Sequence, residues 1–454
     1  MTMAADKQDK VLNFSSEQEQ SGACSSSAER EKNQGKNFLN VPNKRVLNQT
    51  CLNSAERVGL RTKGNVPTLR FPEFSGDWKE STIGKEFELY SGNTPSRLDK
   101  ENFVGNVNWI TSGELKDHYI GDTKEKISES SAKENNLRLM PEGTFVIAIY
   151  GLEAEGVRST GSIITKQSTI SQACMAFTPK GDISNEFLYS WYKKHGNVIG
   201  LRYAQGTKQQ NLSYDILEKF KIRYPSLKEQ DKLNFFISLL DTRITTQIRI
   251  IEDLKSLSDA ICERLYTPSE KGSWQTYKYA DLFSISNERN SKLQYTNVLS
   301  ASQEYGMVER IELNIDIKFE ASSITNYKIV HPDQYVIHLR SFQGGFAYSG
   351  KVGVCSPAYT ILVPNEKLST AFLKYYFTSK KFINSLRIVT YGIRDGRSIS
   401  VEEFLQLKVA IPDIAHQKHI VRVMQLWEGI IRTEESYLYN LQQQKRFLLN
   451  SMFI

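Results

Sequence analysis

An internal repeat constrains this chain more than any single motif does. From Pro225 to about Tyr266 the sequence contains no further proline and no glycine. Apolar residues recur there at Leu233, Phe236, Ile237, Leu240, Ile244, Ile248, Ile251, Leu254, Leu257, Ile261 and Leu265. Steps of three, four and seven put these side chains on one face of a long helix. A second such stretch starts at Pro412, a shift of 412 − 225 = 187 positions. At that shift Gln230 falls on Gln417, Leu233 on Ile420, Phe236 on Val423 and Leu240 on Trp427. Further along, Ile244 meets Ile431, Ile251 meets Leu438, Leu254 meets Leu441, Ile261 meets Leu448 and Leu265 meets Met452. The register holds over about nine turns of helix.

The segments ahead of the two stretches also correspond, more loosely. Pro179 with Phe187-Leu188 matches Pro364 with Phe372-Leu373, and Phe145-Val-Ile-Ala matches Tyr335-Val-Ile-His. Short β-branched and aromatic runs such as Phe145–Tyr150 and Ser162–Thr165 read as strands, and Asn185–Lys194 reads as a helix. Each repeat is therefore a mixed globule followed by a helix of roughly 60 Å. Two unrelated domains that both end in amphipathic helices are the alternative. If the repeat is real, each apolar seam buries itself against the other, and a two-fold axis makes the pair antiparallel. The globules then stand at opposite ends of a rod, able to reach two separate places on one B-DNA duplex with its repeat of about 34–36 Å.

Composition narrows the class without choosing a ligand. The chain has 454 residues, 39% hydrophobic and 24% charged, enough for two or three globular cores. No apolar run is long enough to span a bilayer, and the N-terminus lacks the apolar core of a secretory signal, so a cytoplasmic protein with no membrane partner is expected. Five separated cysteines, Cys24, Cys51, Cys174, Cys262 and Cys355, fit neither a disulfide framework nor a paired zinc site. A net charge of +7, from 58 basic and 51 acidic residues, permits polyanion binding without demanding it. The first 65 or so residues, rich in Ser, Gln, Asn, Lys and Glu, are expected to be a disordered extension.

Several segments together resemble the specificity subunit of type I restriction–modification systems. The segments Pro225-Ser-Leu-Lys-Glu-Gln230 and Pro412-Asp-Ile-Ala-His-Gln417 are similar to the lead into that family's long helices. Leu69-Arg-Phe-Pro-Glu-Phe74 with Trp78 resembles a common family start, and Lys445–Phe453 the family's C-terminal helix end. The resemblance covers residues 66–454. It implies an α+β fold with an internal pseudo-two-fold repeat, in which two mixed α/β target-recognition domains are joined by two long antiparallel coiled-coil helices. The expected boundaries are a disordered extension at 1–65, recognition domains at 66–224 and 268–411, and helices at 225–267 and 412–454. The resemblance also implies double-stranded DNA, two methyltransferase subunits and restriction/translocase subunits as partners. S-adenosylmethionine, ATP and magnesium would belong to those partners, with no cofactor in this chain. Unlike globules imply an asymmetric, bipartite DNA site.

Motifs for chemistry within the chain are weak. Gly345–Lys351 has the spacing of a phosphate loop, but Val352 stands where a magnesium-binding Ser or Thr belongs, so a Gly-rich turn is the better reading. Lys351 remains a candidate phosphate contact. His416 and His419 lie three apart with only Asp413 as a third ligand, which reads as surface histidines. Neither an adenine-methylation pocket motif nor a nuclease carboxylate–lysine cluster is present, as expected of a non-catalytic reader. Two polar loops at matching places in the repeats are the DNA-contact candidates: Arg202, Gln205, Thr207, Lys208, Gln209, Gln210 and Asn211 in one, Tyr391, Arg394 and Arg397 in the other. Solvated turns are their plainer reading. The expected helix–helix or subunit interface is Leu233, Leu240, Ile244, Ile251, Leu254 and Ile261 with Trp427, Ile431, Leu438, Leu441 and Leu448. A defence or regulatory scaffold of the same architecture that binds a non-DNA ligand is the alternative function.

Overall fold

In the computed structural model both apolar stretches are single helices of equal length, Leu227–Leu265 and Ile414–Met452, 39 residues each. The structure describes residues 64–150, 160–203, 212–268, 274–302, 305–310, 321–338, 345–391 and 398–454. All but the last two residues of the expected extension lie outside these, as do Cys24 and Cys51; Cys174, Cys262 and Cys355 are buried free thiols. Among the described residues no helix is long and apolar enough to cross a membrane.

Each long helix leaves a strand at a proline. A residue before proline is pushed into the extended region, and Tyr224 and Ile411 close the strands Lys221–Tyr224 and Lys408–Ile411. Each strand pairs antiparallel with the strand that opens its own globule, Lys79–Thr82 or Gln275–Lys278. Both globules are thus clasped shut where the helix departs.

The glutamine five residues after each proline explains the shared motif. Gln230 is fully buried, and its amide donates to the carbonyls of Pro225 (2.9 Å) and Asp182 (2.7 Å) while its oxygen accepts from Ser184 N–H (2.9 Å). Gln417 repeats the pattern with Pro412 (2.9 Å), Lys367 (2.9 Å) and Ser369 N–H (2.8 Å). One carboxamide therefore satisfies three backbone groups and locks the globule to the first turn of its helix.

The two helices run antiparallel. Leu233 and Ile237, early in the first, share a core with Leu448, Leu449, Met452 and Phe453 at the end of the second. Cys262 and Tyr266, ending the first, share the other core with Ile420, Val421 and Met424. Between these ends the seam steps alternately by four and three residues: 233, 237, 240, 244, 247, 251 and 254. This corrects the expected stripe at two places. Ile248 and Leu257 are exposed, and buried Gln247 takes the seam position, because steps averaging three and a half residues carry the contact line off 248 and 257. Gln247 donates to Glu434 Oε2 at 2.6 Å. Those two residues are equivalent under the 187-residue shift, and a residue that meets its own equivalent marks a two-fold axis.

The sheets repeat as well. In the first head the main sheet has the order Phe87–Ser91, Cys174–Pro179, Phe145–Ala148, Gly161–Ile164, Tyr119–Ile120. In the second head it has Phe283–Ser286, Thr360–Pro364, Tyr335–Ile337, Phe346–Tyr348. Phe87 pairs with Pro179 as Phe283 does with Pro364, and Phe145 pairs with Phe177 as Tyr335 does with Leu362. Register as well as order is shared. The helix expected at 185–194 runs on to Tyr203. Its Phe187 packs on Phe453 with ring centres 5.2 Å apart, and the equivalent Phe372 packs on Tyr266 at 5.1 Å. Each head thus has its core completed by the far end of the other repeat's helix.

The lead-in residues are a strap. Arg70 makes a two-pronged ion pair with Glu229, both contacts 2.7 Å, and Trp78 donates to the same carboxylate at 3.3 Å. Phe71 meets Phe236 edge-on at 5.8 Å, and Leu69 N–H donates to Ser451 C=O at 3.0 Å. The strap therefore fastens the first turns of one helix to the last turn of the other. In the second head Trp274 faces His416, the equivalent of Glu229, with ring centres 6.1 Å apart.

His195 makes this junction sensitive to acid. Burial pushes its pKa down to about 4, and the charge of Lys194 pushes the same way against a hydrogen bond to the Trp191 carbonyl. A base whose folded pKa lies below its unfolded value near 6.5 favours the unfolded chain once protonated. Its contribution is intact above pH 6.5 and is lost as the pH falls toward 4, by about 2 kcal/mol at pH 5. Replacement His195→Gln is expected to flatten the fall in thermal midpoint between pH 7 and pH 5. An unchanged acid slope would show that other groups carry it.

Candidate nucleic-acid interface

One end of each main sheet carries the connections between strands. In the first head Ser91 lies opposite Met175, Ala148 opposite Cys174, and Ile147 opposite Gly161, so the connections after residues 91 and 148 leave side by side. Gly92 makes this crowding possible, since a Cβ there would sit 1.8 Å from the Ile170 carbonyl oxygen. Leu212 N–H donates to Ile149 C=O at 2.8 Å, which brings the far flank of the polar segment 204–211 to the same corner. In the second head Ser286 faces Ile361, and Ile337 faces Thr360 and Phe346, so the connections after 286 and 337 leave from the equivalent end.

The sequence candidates fall on this frame unevenly. Arg202 is in the last turn of the helix Asn185–Tyr203. Gln205, Thr207, Lys208, Gln209, Gln210, Asn211, Arg394 and Arg397 lie outside the described residues. Tyr391 ends the short strand Thr390–Tyr391, paired with Ser398. Phe404, in the helix that follows that ladder, packs 4.9 Å from Phe346 at the loop-bearing end. Lys351 is not brought there. It follows the opposite end of Phe346–Tyr348 and lies 3.5 Å from Glu309. The chain around it passes from strand to turn to the strand Gly353–Cys355, with no helix to receive a phosphate.

Of the expected interface residues, Leu233, Ile251, Leu441 and Leu448 are buried. Leu240, Ile244, Leu254, Ile261, Trp427, Ile431 and Leu438 are partly buried. A second apolar face was not singled out from the sequence: Phe235, Leu239, Phe447, Leu426 and Ile430 are exposed on the long helices, Leu239 and Leu426 being equivalent under the shift. Their signal was available in the same apolar pattern, but it was outweighed by the stronger seam.

A carboxylate on each long helix faces its head at a second point. Asp241 pairs with Lys445 of the other helix and lies 3.9 Å from His118 Nδ1. The His118 ring is stacked between Tyr119 (4.1 Å) and Tyr189 (3.9 Å), with Nε2 2.9 Å from Glu186. Glu428, the equivalent of Asp241, accepts from Lys374 and Tyr375, both at 2.7 Å, and pairs with Arg432. Burial alone would raise the Glu428 pKa, but Lys374, Tyr375 and Arg432 hold it below the usual carboxylate value. Beside it a cavity of about 220 Å³ is floored by Tyr335, Phe346, Tyr348 and Phe377. Among the described residues no group of three or more His, Cys, Asp or Glu side chains is placed to hold a metal ion.

Comparison with known proteins gives a consistent picture. A family model described as the type I restriction modification DNA specificity domain matches residues 75–256 and 271–440. The specificity subunit of type I restriction enzyme MjaIX from Methanocaldococcus jannaschii is 26% identical over 209 residues, 45% of this chain and 47% of that protein. The match therefore spans about half the length of that relative. The MjaVIII specificity subunit of the same organism is 22% identical over 418 residues, 84% of this chain and 92% of its own length. A solved chain described under complex assembly and conformational transition of the type I R-M system shares the fold, with a TM-score of 0.57 and 12% identity over 84% of this chain and 98% of its own.

Proposed function

The chain belongs to the type I restriction–modification DNA specificity family, and on that premise we propose that it reads a split double-stranded DNA site, one half with each head, and performs no chemistry itself. The observation that carries this reading is the repeated head, with one strand order and register, set at opposite ends of antiparallel helices about 58 Å long. The alternating four–three seam suits a two-stranded coiled coil, which would act as a rigid spacer between half-sites. The polar segments containing Arg202 to Asn211 and Tyr391 to Arg397 are the proposed base and phosphate contacts. Because the heads differ in sequence, the halves of the site are unlike.

The exposed faces of the long helices suit protein partners. Phe235 and Leu239 lie toward the first head and Leu426 and Ile430 toward the second, with Leu239 and Leu426 equivalent under the 187-residue shift. Two related patches would take two copies of one partner, here the methyltransferase subunit. Those subunits would transfer a methyl group from S-adenosylmethionine to adenine N6, and an ATP- and magnesium-dependent motor subunit would add translocation and cleavage. The assembly is placed in the cytoplasm. Hydroxyl-radical footprinting of the assembled complex is expected to show two protected tracts flanking a less protected spacer; a single continuous tract, or none, would overturn the split-site reading. Leu239→Glu or Leu426→Glu is expected to cost about 2 kcal/mol at one docking site and reduce two bound methyltransferases to one by native mass spectrometry. Retention of both copies in each variant would remove these faces from the docking surface.

A further inference from the structure

Two loop tips correspond between the heads although the loops around them differ. The first sheet strand is followed by Ser96-Arg97-Leu98 in the first head and by Ser291-Lys292-Leu293 in the second. Leu98 is 98% exposed and Leu293 50% exposed. Single exposed leucines are ordinary, but here they occupy the same place in two repeats.

Both tips are tied down. In the first head Asn102 donates to Ser96 C=O at 3.1 Å. Arg97 grips Glu125 through two contacts, 2.9 and 2.8 Å, and its guanidinium lies 5.0 Å from the Phe103 ring centre. Arg97 is engaged along the surface with Glu125 and Phe103, and Leu98 faces water. In the second head buried Asn290 donates to Tyr295 C=O at 2.7 Å and accepts from Tyr295 N–H at 3.2 Å, while Leu293 N–H donates to Asn290 C=O at 2.9 Å. That ring holds Leu293 at a φ of 51°, a conformation that L residues rarely adopt. Backbone held in such a region is a reason to look for function. Both loops leave from the end of the sheet that carries each head's other connections.

We propose that Leu98 and Leu293 are groove-inserting wedges, each packing against one base-pair step of its half-site and partly unstacking it. The proposal rests on the DNA-reading function above. An apolar side chain already fixed outward loses little freedom on insertion, and proteins that kink DNA commonly use leucine in this way. Exposed Lys100 and Lys292 beside the tips would meet phosphates, while Arg97, engaged with Glu125, positions its tip.

The test uses the full chain assembled with its methyltransferase subunits and a duplex of the methylated motif carrying 2-aminopurine at successive steps. Wild type is expected to raise fluorescence severalfold at one step in each half-site. Leu98→Ala should abolish the rise in one half alone, and Leu293→Ala in the other, with affinity falling about tenfold and the thermal midpoint of the free protein unchanged. Tight binding without any rise, or a rise that survives both replacements, overturns the wedges and leaves the DNA reading standing. No binding of wild type to the motif overturns both.

Discussion

Removal of the last eight residues, Phe447–Ile454, is expected to open the first head while leaving the second folded. Leu448, Leu449, Met452 and Phe453 are buried in the first head's core, far from it in sequence, against Phe187, Leu233 and Ile237. Lys194 donates to the carbonyls of Asn450 (3.2 Å) and Phe453 (2.5 Å), and Leu69 of the strap donates to Ser451. Burying an apolar side chain of this size contributes about 1.5–3 kcal/mol, so the four together contribute roughly 6–12 kcal/mol. That equals most of the stability of an ordinary domain, about 5–15 kcal/mol. Hydrogen exchange followed by mass spectrometry should show the strands Phe87–Ser91 and Cys174–Pro179 losing protection, with Phe283–Ser286 and Thr360–Pro364 retaining it. Unchanged protection in the first head would mean that the helix end is not part of its core.

The glutamine locks come next in size. Gln230→Ala leaves Ser184 N–H and two carbonyls without their partner in a buried place, and Gln417→Ala does the same on the other side. An unsatisfied buried backbone group costs about 1–3 kcal/mol. Each replacement is therefore expected to destabilise its head by about 3 kcal/mol, after allowing for partial access of water. Urea unfolding followed in each head should give the two variants similar losses in opposite heads. A loss below about 1 kcal/mol in both would reduce the motif to a helix start without a locking role.

The long helices and their pairing were legible because an apolar pattern of helical period, repeated at a fixed shift, suits little besides two long helices packed along one seam. The glutamine motif was legible as a pattern but not as a mechanism, since its partners at 182–184 and 367–369 lie more than forty residues away. The seam was misplaced at Ile248 and Leu257 for a definite reason: hydrophobicity alone favours isoleucine over its neighbour Gln247, and only the partner's Glu434 makes a buried glutamine favourable. Strand order in the heads could not be read, because short strands of two to six residues carry little periodicity. The exposed leucine tips were missed because the repeat was matched on apolar cores, although Ser-Arg-Leu and Ser-Lys-Leu stood in the sequence.

Asp241 and Glu428 bear on how the heads and rod act together. Each carboxylate lies a turn or more along the rod from its head's shared core, and a second point of attachment limits rotation about the first. On the proposed reading, such attachments would set the angle of the heads, and with it the distance between the two loop-bearing ends, before DNA binds. A split-site reader of the kind proposed above, built this way, would tolerate little change in the spacing of its half-sites.

Long-read mapping of N6-methyladenine in the source genome, with and without this gene, tests the central claim most directly. The expected result is the loss, on deletion, of methylation at one bipartite motif with two unlike halves and a fixed spacer. An unchanged methylome, in cells where the partner methyltransferase is shown to be expressed, would contradict it.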